Sequence, residues 1–162
     1  MEHPRRPAPL FAAVEIARLP EHLRVLERRR VELVIIDTPP ALTDLIRAAI
    51  AAADLVVIPA RPSPHDLRSI AVAVEMAEAS GTPFCFVVNG ATPRTTIALQ
   101  AVKALAQHGK VAPVTVHQRI DFASSMVDGR TVGELNPQSR SAAEVASLWT
   151  YVLTHLRKDV KR

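Results

Sequence analysis

This chain has one cysteine, five glycines, one tryptophan, one tyrosine and no long apolar run, and each shortage excludes something. A single thiol, Cys85, makes no internal disulfide; set inside "FCFVVN" it reads as a buried, inert side chain. The glycines, at 81, 90, 109, 129 and 133, are too scattered for a phosphate-cradling loop. The only Gly-Lys pair is Gly109-Lys110, with Ala104 where the first P-loop glycine belongs and Val111 where Ser or Thr belongs. No G-x-G-x-x-G occurs, so the dinucleotide fingerprint is absent, and no G-x-S-x-G elbow supports a serine hydrolase. No stretch approaches the roughly 18–20 apolar residues of a membrane span. The N-terminus lacks a long apolar core followed by a small-residue cleavage site, so no signal peptide is expected. The histidines, at 3, 22, 65, 108, 117 and 155, show no metal-ligand spacing.

What is present is the balance of a folded, cytoplasmic protein: 48% apolar and 22% charged residues in 162, a length that suits one domain. Residues 1–11 read as an irregular lead-in and 157–162 as a basic tail. A net charge of +4 and a pI near 9.8 permit salt-sensitive contact with nucleic acid. "RRR" at 28–30, Arg119, Arg130, Arg140 and "RKDVKR" carry much of that charge, and a solvated face accounts for each one taken singly.

Along the chain, short apolar runs alternate with helical patterns. "AAVEIA" (12–17) suits a short strand, and Pro20 opens a helix "PEHLRVLERRR". "VELVIID" (31–37), "LVVIPA" (55–60) and "PFCFVVNG" (83–90) predict strands, their apolar runs continuous enough for a sheet covered on both faces. "VAPVTV" (111–116) predicts a fourth. Helices are expected at 43–54 with Thr43 as N-cap, at 65–80 with Gly81 as C-cap, at 95–109, at 119–129 and at 139–158. The last has an apolar stripe of Val145, Leu148, Trp149, Val152, Leu153 and Leu156. This order predicts an α/β fold, a doubly wound, mainly parallel sheet with helices on both faces. Ligands of such sheets lie at the carboxyl ends of the strands, here "DTPP", "PARPSP", "NGATPR" and "HQRID".

Asp37, at the end of its predicted strand, has three readings from the residues alone. It caps the following turn; or it acts on Mg²⁺ beside a bound triphosphate, as a Walker-B aspartate does; or it accepts a phosphoryl group. The third needs an earlier acidic pair and a later strand-end lysine, and "VEIARLP", "VVNGA" and "VTVHQ" supply neither. His117 is the one histidine placed at an expected strand end.

The stretch "VELVIIDTPPALTDLIRAAIAAADLVVIPARPSPHDLRSI", with "FCFVVNGATPRTT" and "TVHQRIDFASSMVDGRTVGELNPQSRSAAEVASLW", resembles the ParA family of partition ATPases, relatives of MinD, and its small plasmid-type members above all. The resemblance covers about residues 31–155. It implies a P-loop NTPase-like fold that dimerises around ATP and Mg²⁺, binds DNA non-specifically and is stimulated by a centromere-binding partner. Asp37 then resembles the Walker-B aspartate, reaching Mg²⁺ through water, with Thr38 and Pro39 shaping its turn. Asn89 resembles the residue that bonds the adenine edge, and His117 and Gln118 border the base. "PSPHD" (62–66) resembles a segment near the dimer face, and Arg119, Arg140 and Arg157 are DNA contacts by analogy. Nucleoid association would follow from DNA binding.

The family's first strand, its K-G-G-x-G-K-T loop and its D-P-Q-G strand have no counterpart in these residues. The resemblance therefore implies a single ATPase domain lacking its Walker A region. Such a chain alone is expected neither to bind nor to hydrolyse ATP, and to expose apolar edges. The alternative is a non-catalytic module that binds DNA, a partner protein, a second copy or a full-length homologue; a receiver domain is the third reading.

Overall fold

In a computed structural model of the chain, residues 10–38 and 44–159 are described, with side chains absent from the description at Asp44, Leu45 and 157–159. Thr43, Pro39, residues 1–9 of the lead-in and 160–162 of the tail lie outside the described residues. The chain falls into two compact units, Met1–Ala52 and Ala53–Arg162.

In the first unit a 3-10 turn, Ile16–Arg18, leads into α1, Leu19–Arg28, which has Pro20 in its first turn. The strand expected at 12–17 does not form: residues 12–15 lie outside any regular element and Ile16–Arg18 is the 3-10 turn. After α1 the chain turns at Arg30, whose φ of 56° is left-handed. Residues 31–37 form no strand either, a correction to the expectation above. An apolar run becomes a strand only when its N–H and C=O groups meet a neighbour. Among the described residues none pairs with it, and Val31, Leu33, Val34 and Ile35 are 39, 40, 40 and 78% exposed. Helix α2, Asp44–Ala51, packs against the 3-10 turn and buries Ile46, Ala49 and Ile50.

The second unit is the predicted α/β arrangement. Strand β2, Phe84–Ala91, lies at its centre, parallel to β1, Val56–Ala60. The single strand expected at 111–116 is two: β3, Lys110–Val111, and β4, Val116–His117, pair in parallel with successive stretches of β2. Pro113 stands between them and has no N–H to give a ladder. Cys85, Phe86, Val87 and Val88 of β2 are all buried, which requires cover on both faces. One face meets α3, Pro64–Ser80, and α4, Thr96–Leu105, through Ile70, Val74 and Leu105 packed on Ile58, Phe86 and Val88. On the other, Val87, Ala112 and Val116 meet Phe122 of α5, Ile120–Ser125, and Leu148 and Tyr151 of α7, Arg140–Asp159. The inward stripe of α7 is thus set by Leu148 and Tyr151, while Val145 and Trp149 of the expected stripe stay part-exposed. A short helix α6, Val132–Leu135, stands where a loop was expected; Thr131 and Glu134 close a capping box at its start.

Candidate functional site at the strand ends

Near the carboxyl end of β2 Asn89 is exposed while Ala91 is buried, and at this end the sequence placed Asn89, His117 and Gln118. The structure brings these three together. Asn89 lies opposite Val116 and Ala91 opposite His117, with the register shifting between them. Gly90 accommodates that shift at φ 64°, and the Arg61 side chain passes 3.7 Å from where a Cβ would stand. The Gln118 N–H donates to the Ala91 carbonyl at 2.9 Å. Asn89 and Gln118 are exposed and His117 is half-buried.

The loop after β4 is fixed from α7. Glu144 accepts the His117 backbone N–H at 3.0 Å and the Arg119 Nη2 at 2.6 Å, and its other contact is the His117 Nδ1 at 2.9 Å. One turn earlier, the fully buried Ser141 donates its hydroxyl to Asp121 at 2.6 Å. Burial works to raise the Glu144 pKa, but the hydrogen bonds from Arg119 and His117 outweigh it and hold the carboxyl below the ordinary range. Glu144 and Ser141 escaped sequence reasoning because they sit 20–27 residues from their partners, and only the packing of α7 on β4 brings them near.

Arg119 is therefore held by Glu144, with its Nε buried and without a partner in the structure. Arg140 is exposed at the first residue of α7, and the Arg157 side chain lies outside the described residues. Asp37 and Thr38 belong to the first unit, exposed and outside any regular element. Among the described residues no group of three His, Cys, Asp or Glu side chains is placed to hold a metal ion. The polar groups at the end of β2 are hydrogen-bond donors and acceptors at the strand-end edge. No lysine follows a glycine-rich turn in these residues.

A parallel sheet with helices on both faces and a polar strand-end edge defines the class of α/β ligand-binding folds. Comparisons with known proteins narrow it. No family model matches the chain. Across 120 residues it is 28% identical to the maintenance of carboxysome distribution protein A of Halothiobacillus neapolitanus, covering 70% of this chain and 56% of that protein. Across 165 aligned positions it is 28% identical to the chromosome-partitioning ATPase Soj of Thermus thermophilus, covering 96% of this chain and 66% of Soj. In fold it is similar to the cell division ATPase MinD of Pyrococcus furiosus, with a TM-score of 0.64 at 14% identity, over 91% of this chain and 58% of MinD. The chain is thus similar in sequence to a chromosome-partitioning ATPase and to a carboxysome-distribution protein, and in fold to MinD. It spans 56 to 66% of the length of the curated relatives it matches. No described helix is long and apolar enough to cross a membrane.

Proposed function

We propose that these residues form the base-side part of a ParA-type ATPase domain, and that alone they neither hold Mg-ATP at micromolar concentration nor hydrolyse it. In the whole machine, ATP-dependent dimerisation and DNA binding would be coupled to segregation of DNA, with a centromere-binding protein as stimulating partner. One observation supports the reading for this chain: the strand-end edge carries Asn89, His117 and Gln118 for a base, yet the 162 residues contain no lysine-bearing glycine turn. The β- and γ-phosphates would then find few N–H groups and no ammonium, which are the contacts on which phosphoryl-transfer sites depend. Asp37 would serve Mg²⁺ only beside such a cradle.

Calorimetric titration with Mg-ATP tests this, and the expected result is no binding at micromolar concentration. Tight, Mg-dependent binding that disappears in Asp37→Ala would overturn it. Asp37 is exposed, so that substitution leaves the fold intact. The exposed arginines of the second unit favour a second reading, a module that binds nucleic acid without catalysis.

A further inference from the structure

We propose that residues 31–37 of one copy of this chain add as a parallel strand to the free edge of β1 in a second copy. The pairing needs no nucleotide and is separate from the ATP-dependent dimerisation above. β1 closes one side of its sheet, with β2 as its one strand neighbour among the described residues. The Val56 N–H donates to the Pro83 carbonyl at 2.8 Å, so the amides of Val56, Ile58 and Ala60 turn toward β2. Those of Val57 and Pro59 turn to the free edge, where a proline's missing N–H is tolerated. The run 31–37 has the matching lack. It pairs with no described segment, and Val31, Leu33, Val34 and Ile35 are exposed. Free edges take up such segments through their unused amides, and a second copy carries the same run.

Charge selects the direction and the register. Arg30 and Asp37 bracket the run, Asp54 and Arg61 bracket β1, and the members of each pair stand seven residues apart. All four are exposed and have no ion-pair partner among the described residues. Aligned in parallel, Arg30 stands opposite Asp54 and Asp37 opposite Arg61, so both ends carry opposite charges. In the antiparallel direction Arg30 would meet Arg61 and Asp37 would meet Asp54, like charges at both ends. The parallel register also matches the faces. Leu33 and Ile35 fall beside the exposed Val57 and Pro59, while Val34 and Ile36 fall beside the buried Ile58 and Ala60. A slip of one residue breaks both charge pairs and turns every side chain to the other face. Each copy carries both a run and an edge, so two copies can complete one another.

Disulfide trapping tests the pairing, because neighbouring strands stand about 4.8 Å apart, within the Cα span of a disulfide. Protein carrying Leu33→Cys is mixed with protein carrying Val57→Cys and oxidised without nucleotide; the native Cys85 is buried and does not interfere. The expected product is a dimer joined between positions 33 and 57. Lys103→Cys, exposed on α4, should give none in place of Val57→Cys. In sedimentation, Arg30→Asp and Asp54→Arg should each raise the dissociation constant about threefold to tenfold, and the two together in one chain should restore it. Unchanged unfolding midpoints would show that every variant is folded. A link from 33 to 33 as the main product would mean that the run pairs with itself. A monomer linked from 33 to 57, in a chain carrying both cysteine substitutions, would mean that the run folds back on its own edge. Either result overturns the proposal, as does a wild type that stays monomeric or a charge-swapped double variant no tighter than the single ones.

Discussion

Glu144 shows how much one side chain decides at the residue scale. Only 14% exposed, it satisfies a guanidinium, a backbone N–H and an imidazole nitrogen from the loop after β4. Removing it leaves a largely buried arginine and a backbone donor without partners, so Glu144→Ala should lower stability by about 2–3 kcal/mol in urea unfolding at pH 7. Its folded pKa lies below the unfolded one, so its contribution is fully present above the unfolded pKa of about 4.3 and is lost as pH falls through the folded value. Glu144→Gln should therefore flatten the acid limb of the stability profile below about pH 4.3, while the wild type loses stability there. An acid limb identical in both would show that the ion pair is incidental. Nothing in the sequence marked Glu144, because a carboxylate on a long helix reads as solvated until the helix is packed. His117, Asn89 and Gln118 were legible for the opposite reason. They follow apolar runs, and a run that becomes a parallel strand places its last residues at the strand-end edge of the sheet.

At the scale of elements, the sequence foretold those whose hydrogen bonds close locally or whose apolar runs are doubly buried. Helix α3 begins and ends where Pro64 and Gly81 punctuate it, and β1 and β2 fall on the runs that predicted them. Departures came from chemistry of one or two residues. Pro113 divides one expected strand into β3 and β4, and the Thr131–Glu134 capping box builds α6 from an expected loop. The turn from α4 into β3 depends on Gly109. A Cβ there would stand 2.8 Å from Phe84 Cε2 and 3.3 Å from Phe86 Cε2, and those rings already meet edge to face at 5.5 Å. Gly109→Ala should cost about 1–3 kcal/mol by overpacking, read as a lower thermal midpoint. Gly109→Ala combined with Phe84→Leu should recover part of the loss; no recovery would mean that the backbone, not the ring, sets the cost.

For the molecule as a whole, the largest gap between sequence and structure is 31–37. Its continuous apolar run predicted a strand, and it fails to become one because a strand is a relation between segments and no described segment answers it. Four apolar side chains are left facing water in a run of five residues, a pattern that promotes association between chains. Sedimentation at rising concentration should show self-association, and Leu33→Lys with Ile35→Lys should suppress it without lowering the unfolding midpoint. A monomer throughout would refute the idea that this run is adhesive. Cys85 has a different consequence at this scale. It is 0% exposed near the start of the central strand, and burial raises the thiol's pKa. A thiol reagent can reach that sulfur only when the sheet of the second unit comes apart, so the one cysteine serves as a built-in clock: its rate of modification times the opening of the core.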